Sequence, residues 1–220
     1  MKSTRLYKII LADDHVLLRD ALANLINKFP GFTVTAVAEN GKQVIDIIKN
    51  SSDVDIVLMD LNMQIIDGYE AARWLVKNKP EIKIIILTMY DSEIALIRLL
   101  QAGVHGFLKK DIHPNELKTA MAIVAEGDYY YSNHATVKLA SLFRQNARNE
   151  SALKKSMLND VEIEFLKLTS TEMTYKEIAK HMNLSPRHID SYRDALFTKL
   201  EVKSRVGMVI YAVRNGIVNF

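Results

Sequence analysis

Two runs, Ile9-Ile10-Leu11 and Ile84-Ile85-Ile86-Leu87, carry no polar residue at either alternate position. A strand of that kind is buried on both faces, which confines it to the interior of a parallel sheet with helices on both sides. Around these runs the β-rich segments Tyr7–Ala12, Phe32–Ala38, Asp55–Met59, Lys83–Thr88 and Gly106–Leu108 alternate with helically spaced stretches such as Leu18, Ala21, Leu22, Leu25, Ile26 and Phe29. Five strands alternating with five helices predict an α/β doubly wound, five-stranded parallel sheet over residues 1–128. Sheets of this class bind their ligands outside the carboxyl ends of the strands, so the residues directly after each apolar run are the candidates for function.

The rest of the composition narrows the class. At 220 residues the chain is long enough for two ordinary domains. Its longest apolar stretches, such as Ile82 to Met89, fall far short of the roughly 20 residues that span a bilayer. The N-terminal MKSTRLYKIILADD ends its apolar run in two aspartates and not in a small-residue cleavage site, so it reads as a strand and not as a signal peptide. There is no cysteine, which excludes disulfides, thiolate metal sites and cysteine nucleophiles and fits a cytoplasmic protein. Charge is divided unevenly. Residues 1–128 carry 15 Lys+Arg against 17 Asp+Glu, net −2, whereas residues 129–220 carry 14 against 9, net +5. A basic second half directs the search for a nucleic-acid partner there.

The strand ends are chemically concentrated. Strand 1 runs into Asp13-Asp14, strand 3 into Asp60, strand 4 into Thr88, and strand 5 into Lys109-Lys110. Carboxylates held within a few ångströms repel one another unless a cation sits among them, and an all-oxygen set suits Mg²⁺. With the charge offset, one carboxylate can act as a nucleophile toward a phosphoryl group and form an aspartyl phosphate. Taken singly, each residue has a plainer use: aspartates after strands cap helices, and lone lysines are solvated. Three carboxylates, a hydroxyl and an ammonium at the ends of four strands are harder to explain by capping.

These residues carry a resemblance. LADDHVLLR, VLMDLNM, Asp67-Gly68, LTMYD and AGVHGFLKKD together resemble the receiver domain of two-component response regulators, over roughly residues 6–127. The resemblance implies that Asp60 is the phosphoacceptor and that Asp13, Asp14, Asp60 and the Asn62 backbone carbonyl share Mg²⁺. It further implies that Thr88 is the switch hydroxyl, Phe107 the switch aromatic and Lys110, in preference to Lys109, the lysine that pairs with the phosphoryl group. The chain departs from the family at Gln64, where a proline is usual; the substitution is expected to change the loop's mobility and not its chemistry.

Beyond Asp128 the pattern changes. Gly127-Asp128-Tyr129-Tyr130-Tyr131-Ser132 breaks it, Asn133–Arg148 reads as a helix and Gln145–Ser156 is polar, so residues 129–156 are expected to be a partly helical linker. Four amphipathic segments follow in residues 157–220: Asp160–Leu168, Tyr175–Met182, Pro186–Leu200 and Ser204–Asn215. The second and third are joined by Asn183-Leu184-Ser185, with Ser185 placed to cap and Pro186 at the first helical position, a helix-turn-helix arrangement. The run TYKEIAKHMNLSPRHIDSYRDALFTKLEVKSRVGMVIYAVRNGI resembles the DNA-binding domain of LuxR- and NarL-type regulators, most specifically in TYKEIA, LSPRHID and KLEVKSR. The family's leucine-threonine-x-arginine-glutamate box survives only as Leu158-Asn159-Asp160-Val161-Glu162, and its usual recognition-helix lysine and histidine are Asp190 and Tyr192.

At 100° per residue Ile189, Tyr192, Leu196 and Leu200 share the face that must be buried. Arg187, Ser191, Asp194 and Thr198 point away, with His188, Asp190 and Lys199 on the flanks. The resemblance gives base reading to Asp190, Ser191 and Asp194; carboxylates there could accept from a cytosine amino group. A plainer reading makes the two aspartates solvated charges or partners of Arg193 and Arg187. Phosphate contacts are expected from Lys176, Arg187, Arg193, Lys199, Lys203 and Arg205. Both resemblances together imply a cytoplasmic transcriptional response regulator and not an enzyme. A sensor histidine kinase would phosphorylate it with Mg²⁺, after which it would bind promoter DNA as a homodimer. Two other readings stay open at this point: a Mg²⁺-dependent aspartyl-phosphate phosphohydrolase with a helical cap, and a receiver acting through protein partners with a degenerate helical domain.

Overall fold

All five expected strands form, and they are joined by a sixth. The computed structural model of the chain describes residues 5–51, 53–89, 93–132, 136–137 and 158–218. In order these contain β1 (Tyr7–Ala12), α1 (Val16–Ile26), β2 (Phe32–Ala38), α2 (Gly41–Asn50), β3 (Ile56–Asp60), α3 (Gly68–Asn78), β4 (Lys83–Thr88), α4 (Glu93–Ala102), β5 (Gly106–Lys109), α5 (Pro114–Ala125) and β6 (Tyr130–Tyr131). The sheet order is β2-β1-β3-β4-β5-β6, and every pairing is parallel. The sixth strand corrects the expected count of five. It lies in the segment read as the start of the linker, and Tyr130 N donates to His105 O at 2.9 Å. Two residues are too few to show a period, which is why sequence pattern misses such a strand.

Alternation along each strand divides the core. Ile9, Leu11, Ile56, Leu58, Ile85, Leu87 and Leu108 pack with Ile26 of α1 and with Leu117, Ala120, Met121 and Val124 of α5. Ile10, Val57, Met59, Ile84 and Ile86 are equally buried and, being the alternate residues, face the other side. Both faces are thus closed by apolar contact, as the two uninterrupted runs require.

The helical part consists of α6 (Asp160–Thr169), α7 (Tyr175–His181), α8 (Pro186–Lys199) and α9 (Arg205–Arg214), matching the expected segments to within a residue at each end. Leu158, Ile163, Phe165, Leu166, Ile178, Ala179, Ile189, Leu196, Met208 and Ala212 form its core. Each helix start is capped by a side chain: Asn159 to Glu162 N, Thr174 to Glu177 N, Ser185 to His188 N and Ser204 to Gly207 N. The turn between α7 and α8 is set by Asn183, whose φ of 53° is a left-handed value that Asn tolerates. The chain divides into two compact units. Of the expected linker helix Asn133–Arg148 only Thr136 and Val137 fall within the described residues, and they are helical; the polar stretch Gln145–Ser156 lies outside them. Among the described residues no helix is long and apolar enough to cross a membrane.

The β4–β5 join buries a histidine. His105 Nδ1 accepts from Ile84 N at 3.3 Å, its Nε2 lies 3.4 Å from Lys83 Nζ, and its ring stacks on Tyr129 at 5.4 Å. Burial, and after it the Lys83 charge, hold its pKa below the usual 6.5. A base with a depressed folded pKa contributes stability that is present above its unfolded value and is lost as pH falls below it. The urea midpoint of the chain is therefore expected to drop as pH falls below about 6.5, and part of that slope should vanish in His105→Gln. Identical slopes for the two chains would contradict this account of His105.

Candidate functional site

The sheet order reverses between β1 and β3, which opens a crevice at their carboxyl ends. Asp13 follows β1 and Asp60 ends β3, and both are buried. β5 lies alongside β4 in the register Thr88↔Lys109, and Lys110 N donates to the Thr88 carbonyl at 2.9 Å. That bond carries the Lys110 side chain into the crevice, where Nζ sits 2.8 Å from Asp13 Oδ2 and 2.8 Å from Asp60 Oδ2. Lys109 instead ion-pairs with Asp111 at 3.3 Å on the outside. Thr88 is fully buried at the end of β4, and Phe107 is 3% exposed one strand away. The crevice floor also needs Gly68: a Cβ there would lie 2.2 Å from the Asp60 carbonyl oxygen.

Burial pushes the Asp60 carboxyl above the usual carboxylate value, against the pull of the Lys110 hydrogen bond and charge. The Lys110 ammonium, though burial opposes its charge, is held above its ordinary value by its bonds to Asp13 and Asp60. Asp60 also accepts from the Asn62 backbone N–H. One ammonium thus offsets two carboxylates, and a third, Asp14, lies beside them.

Ligand atoms of Asp13, Asp14, His15 and Asp60 all lie within 4.8 Å of one another. Asp14 Oδ1 is buried and accepts no hydrogen bond, so it is an oxygen with coordination to spare. An oxygen-rich set with an orphaned carboxylate oxygen fits a hard divalent cation such as Mg²⁺. Two contributors were not singled out from sequence. His15 Nδ1 hydrogen-bonds Asp13 Oδ1 at 3.1 Å, and Arg19, buried in α1, donates to the Asp13 carbonyl at 2.8 Å. The available signal was their place in LADDHVLLR, a basic residue one turn into an otherwise apolar helix face. Opposite them, Ile66 N donates to Gln64 O at 2.8 Å and closes a tight turn around Ile65, whose φ is 68°. Gln64, where the proline was missed, provides the carbonyl of that turn.

In the helical unit the sequence-expected DNA residues separate into two groups. Lys176, Arg187, His188, Asp190, Ser191, Asp194, Thr198 and Lys203 are exposed. Lys199 is committed inward: its Nζ donates to both oxygens of the buried Glu162, at 2.8 and 2.7 Å. Arg205 donates to the carbonyls of Thr169 and Thr171 at 2.8 and 2.6 Å. Arg193 donates to Asp190 at 2.9 Å and to Asp194 at 3.0 Å, and its guanidinium lies 5.5 Å from the centre of the Tyr175 ring. The pairing weighed from sequence for the two aspartates is therefore realised through Arg193. Ile189 and Leu196 are buried and Tyr192 and Leu200 half-buried, as the helical wheel required.

A parallel sheet with a carboxylate-lysine crevice and a helix-turn-helix in the same chain are the parts of a response regulator. Residues 9–122 match the response regulator receiver domain family and residues 156–212 match the bacterial regulatory proteins of the luxR family. The chain belongs to the LuxR-type response regulators of two-component systems. It is 29% identical to the response regulator UvrY of Escherichia coli (strain K12), across 96% of this chain and 95% of UvrY. To the response regulator GacA of Pseudomonas syringae pv. syringae (strain B728a) it is 30% identical, across 96% and 98%. Among solved structures, a LuxR-family response regulator from Aurantimonas sp. SI85-9A1 matches with a TM-score of 0.59 at 28% identity, covering 62% of this chain and 97% of its own. RcsB from Salmonella enterica serovar Typhimurium, bound to promoter rprA with phosphomimetic BeF3⁻, shares the fold with a TM-score of 0.70 at 22% identity, over 94% and 98%.

The crevice makes a prediction of its own. A carboxyl whose folded pKa is raised above its unfolded value loses stability as pH rises through that interval, because the fold favours the neutral form. In chelator at neutral pH, Asp60→Asn should therefore raise the urea midpoint, with the gain shrinking as pH falls toward 3.8. A lower midpoint at neutral pH would show that the Lys110 attraction outweighs burial.

Proposed function

We propose that a sensor histidine kinase phosphorylates this chain on Asp60 in a Mg²⁺-dependent reaction, and that the phosphorylated chain binds promoter DNA as a dimer in the cytoplasm. The observation that carries the reading is the Lys110 ammonium, 2.8 Å from both Asp13 and Asp60. Asp60 has one oxygen held by that ammonium and stands at the end of the central strand. Its carboxylate is the nucleophile: the P–N bond of a phosphohistidine breaks as the P–O bond to Asp60 forms. Lys110 and the Thr88 hydroxyl then hold the phosphoryl oxygens. Asp13, Asp14, Asp60 and the Asn62 backbone carbonyl would hold Mg²⁺, which offsets the charge that accumulates on transfer.

Coupling to DNA runs through Thr88 and Phe107. A phosphoryl dianion on Asp60 draws the Thr88 hydroxyl toward it, and Phe107, without a hydroxyl of its own, responds by packing alone. In the helical unit Lys176, Arg187, Arg193 and Lys203 supply the positive charge that phosphates need. Asp190, Ser191 and Asp194 stand at the base-reading positions. The exposed Val206 and Ile210 of α9 provide an apolar strip for a second copy. The helix-turn-helix is a single small reader, and RcsB, which shares the fold, has been solved as dimers on DNA.

Two experiments test the halves of this reading. Acetyl phosphate with Mg²⁺ should add one phosphoryl group to the intact mass of the wild-type chain and none to Asp60→Asn; a gain at the wild-type rate in Asp60→Asn would remove the assignment. A fragment of residues 150–220 should bind DNA with an affinity that falls steeply with salt. There, Asp190→Ala releases Arg193 from one of its two carboxylates and should raise affinity for random DNA. If Asp190 reads a cytosine amino group, the same change should also cost about 1–3 kcal/mol of preference at one base pair. Affinity for random DNA left unchanged would mean that the Asp190–Arg193 pair does not restrain binding.

A further inference from the structure

The Asp13 and Asp14 carboxylates lie against two nitrogen donors, the Lys110 ammonium and the His15 ring. Lys110 holds Asp13 on its Oδ2 side. On the Oδ1 side stands His15, with Nδ1 3.1 Å from Asp13 Oδ1 and 2.9 Å from Asp14 Oδ1. Both neighbours are acceptors, so Nδ1 bears a hydrogen whatever the charge of the ring. That hydrogen is given to Asp13, and Asp14 Oδ1 is left without a hydrogen bond.

The position of His15 in the chain sharpens the point. It is the N-cap residue of α1, yet its side chain makes no capping bond. His113, the N-cap residue of α5, does accept from Asn115 N, and Asn40, Asp67, Asn159, Thr174, Ser185 and Ser204 each cap their own helices. The His15 imidazole has turned away from the helix it begins and toward the two carboxylates. It also remains 70% exposed, so it can swing out into water at little cost.

We infer that His15 is a positioning residue that lowers the metal affinity of the crevice by competing for Asp13 Oδ1, with its ring nitrogen standing 2.9 Å from Asp14 Oδ1. The inference rests on the reading that these carboxylates take up a divalent cation. Asp13 Oδ1 accepts from the His15 backbone N–H at 3.0 Å as well as from the ring, so removing the ring takes away one of its two donors and should tighten binding. Because the contact is largely solvent-exposed, the effect is modest, about two- to fivefold in Kd.

Calorimetric titration of the full chain with MgCl₂, and with MnCl₂ followed by electron paramagnetic resonance, tests this. His15→Ala should bind both ions about two- to fivefold more tightly than wild type. His15→Ser keeps a good helix cap should the alanine chain fail to fold, and should tighten binding in the same way. His15→Gln restores an N–H donor and should return the affinity toward the wild-type value, which a purely structural role would not require. Unchanged affinity in both short variants makes His15 a bystander, and weaker affinity makes it a ligand; either result overturns the inference. Asp14→Ala separates the two levels: if it binds as wild type does, or if the wild type binds neither ion, the metal reading itself falls.

Discussion

Three carboxylates gathered at one sheet end against a single ammonium are the constraint on which the rest of the molecule depends. Like charges at that spacing repel, and burial makes the repulsion stronger because water cannot screen it. The fold brings them together all the same. β1 and β3 are locked in the middle of a sheet whose two faces are closed by isoleucine, leucine and valine. Asp13 and Asp60 are the residues that follow from those strands, and the β5 register that places Thr88 opposite Lys109 delivers Lys110 between them. The apolar core thus holds in place an arrangement of charges that would otherwise move apart, and the raised pKa of Asp60 records first the cost of burying it and, to a smaller extent, the Asp13 charge beside it. In the function proposed for it, a divalent cation relieves the imbalance and offsets the further negative charge that a phosphoryl group would bring.

The helical unit divides its charges by a different rule. Glu162 is buried and closes a capping box with Asn159 while taking both hydrogen bonds of Lys199. Arg205 ties α9 to the end of α6 through the Thr169 and Thr171 carbonyls. These two cations hold the helices in position, which leaves Lys176, Arg187, Arg193 and Lys203 as the cations available for the proposed phosphate contacts. Arg193 is the intermediate case: carboxylates on either side restrain it, and Tyr175 lies beneath it. In the proposed reading these carboxylates restrain a cation that would otherwise attract DNA of any sequence.

Sequence reasoning reached the strands because two uninterrupted apolar runs admit few other folds, and it reached Asp13, Asp14, Asp60, Thr88 and the pair Lys109-Lys110 because they stand at strand ends, the family resemblance then choosing Lys110. It did not reach β6, since Tyr130 and Tyr131 are recruited by the free edge of β5 and not by any periodicity of their own. His15 and Arg19 escaped for a related reason. Their roles depend on which way a side chain turns from α1, and a helix start with a basic residue reads the same whether that side chain caps the helix, faces water or bonds Asp13. The commitment of Lys199 to Glu162 was equally hidden, because the two are 37 residues apart and are joined only by packing of α6 on α8.

The central claim is that Asp60, Lys110 and the acidic pair form one phosphoryl-binding site. Fluorine NMR of the full chain with beryllofluoride, which takes the place of a phosphoryl group on a carboxylate, tests it directly. The account predicts a bound resonance that requires Mg²⁺, is absent in Asp60→Asn and Asp14→Ala, and is weakened in Lys110→Ala. A bound resonance that persists in Asp60→Asn, or none in the wild-type chain with Mg²⁺ present, would contradict it.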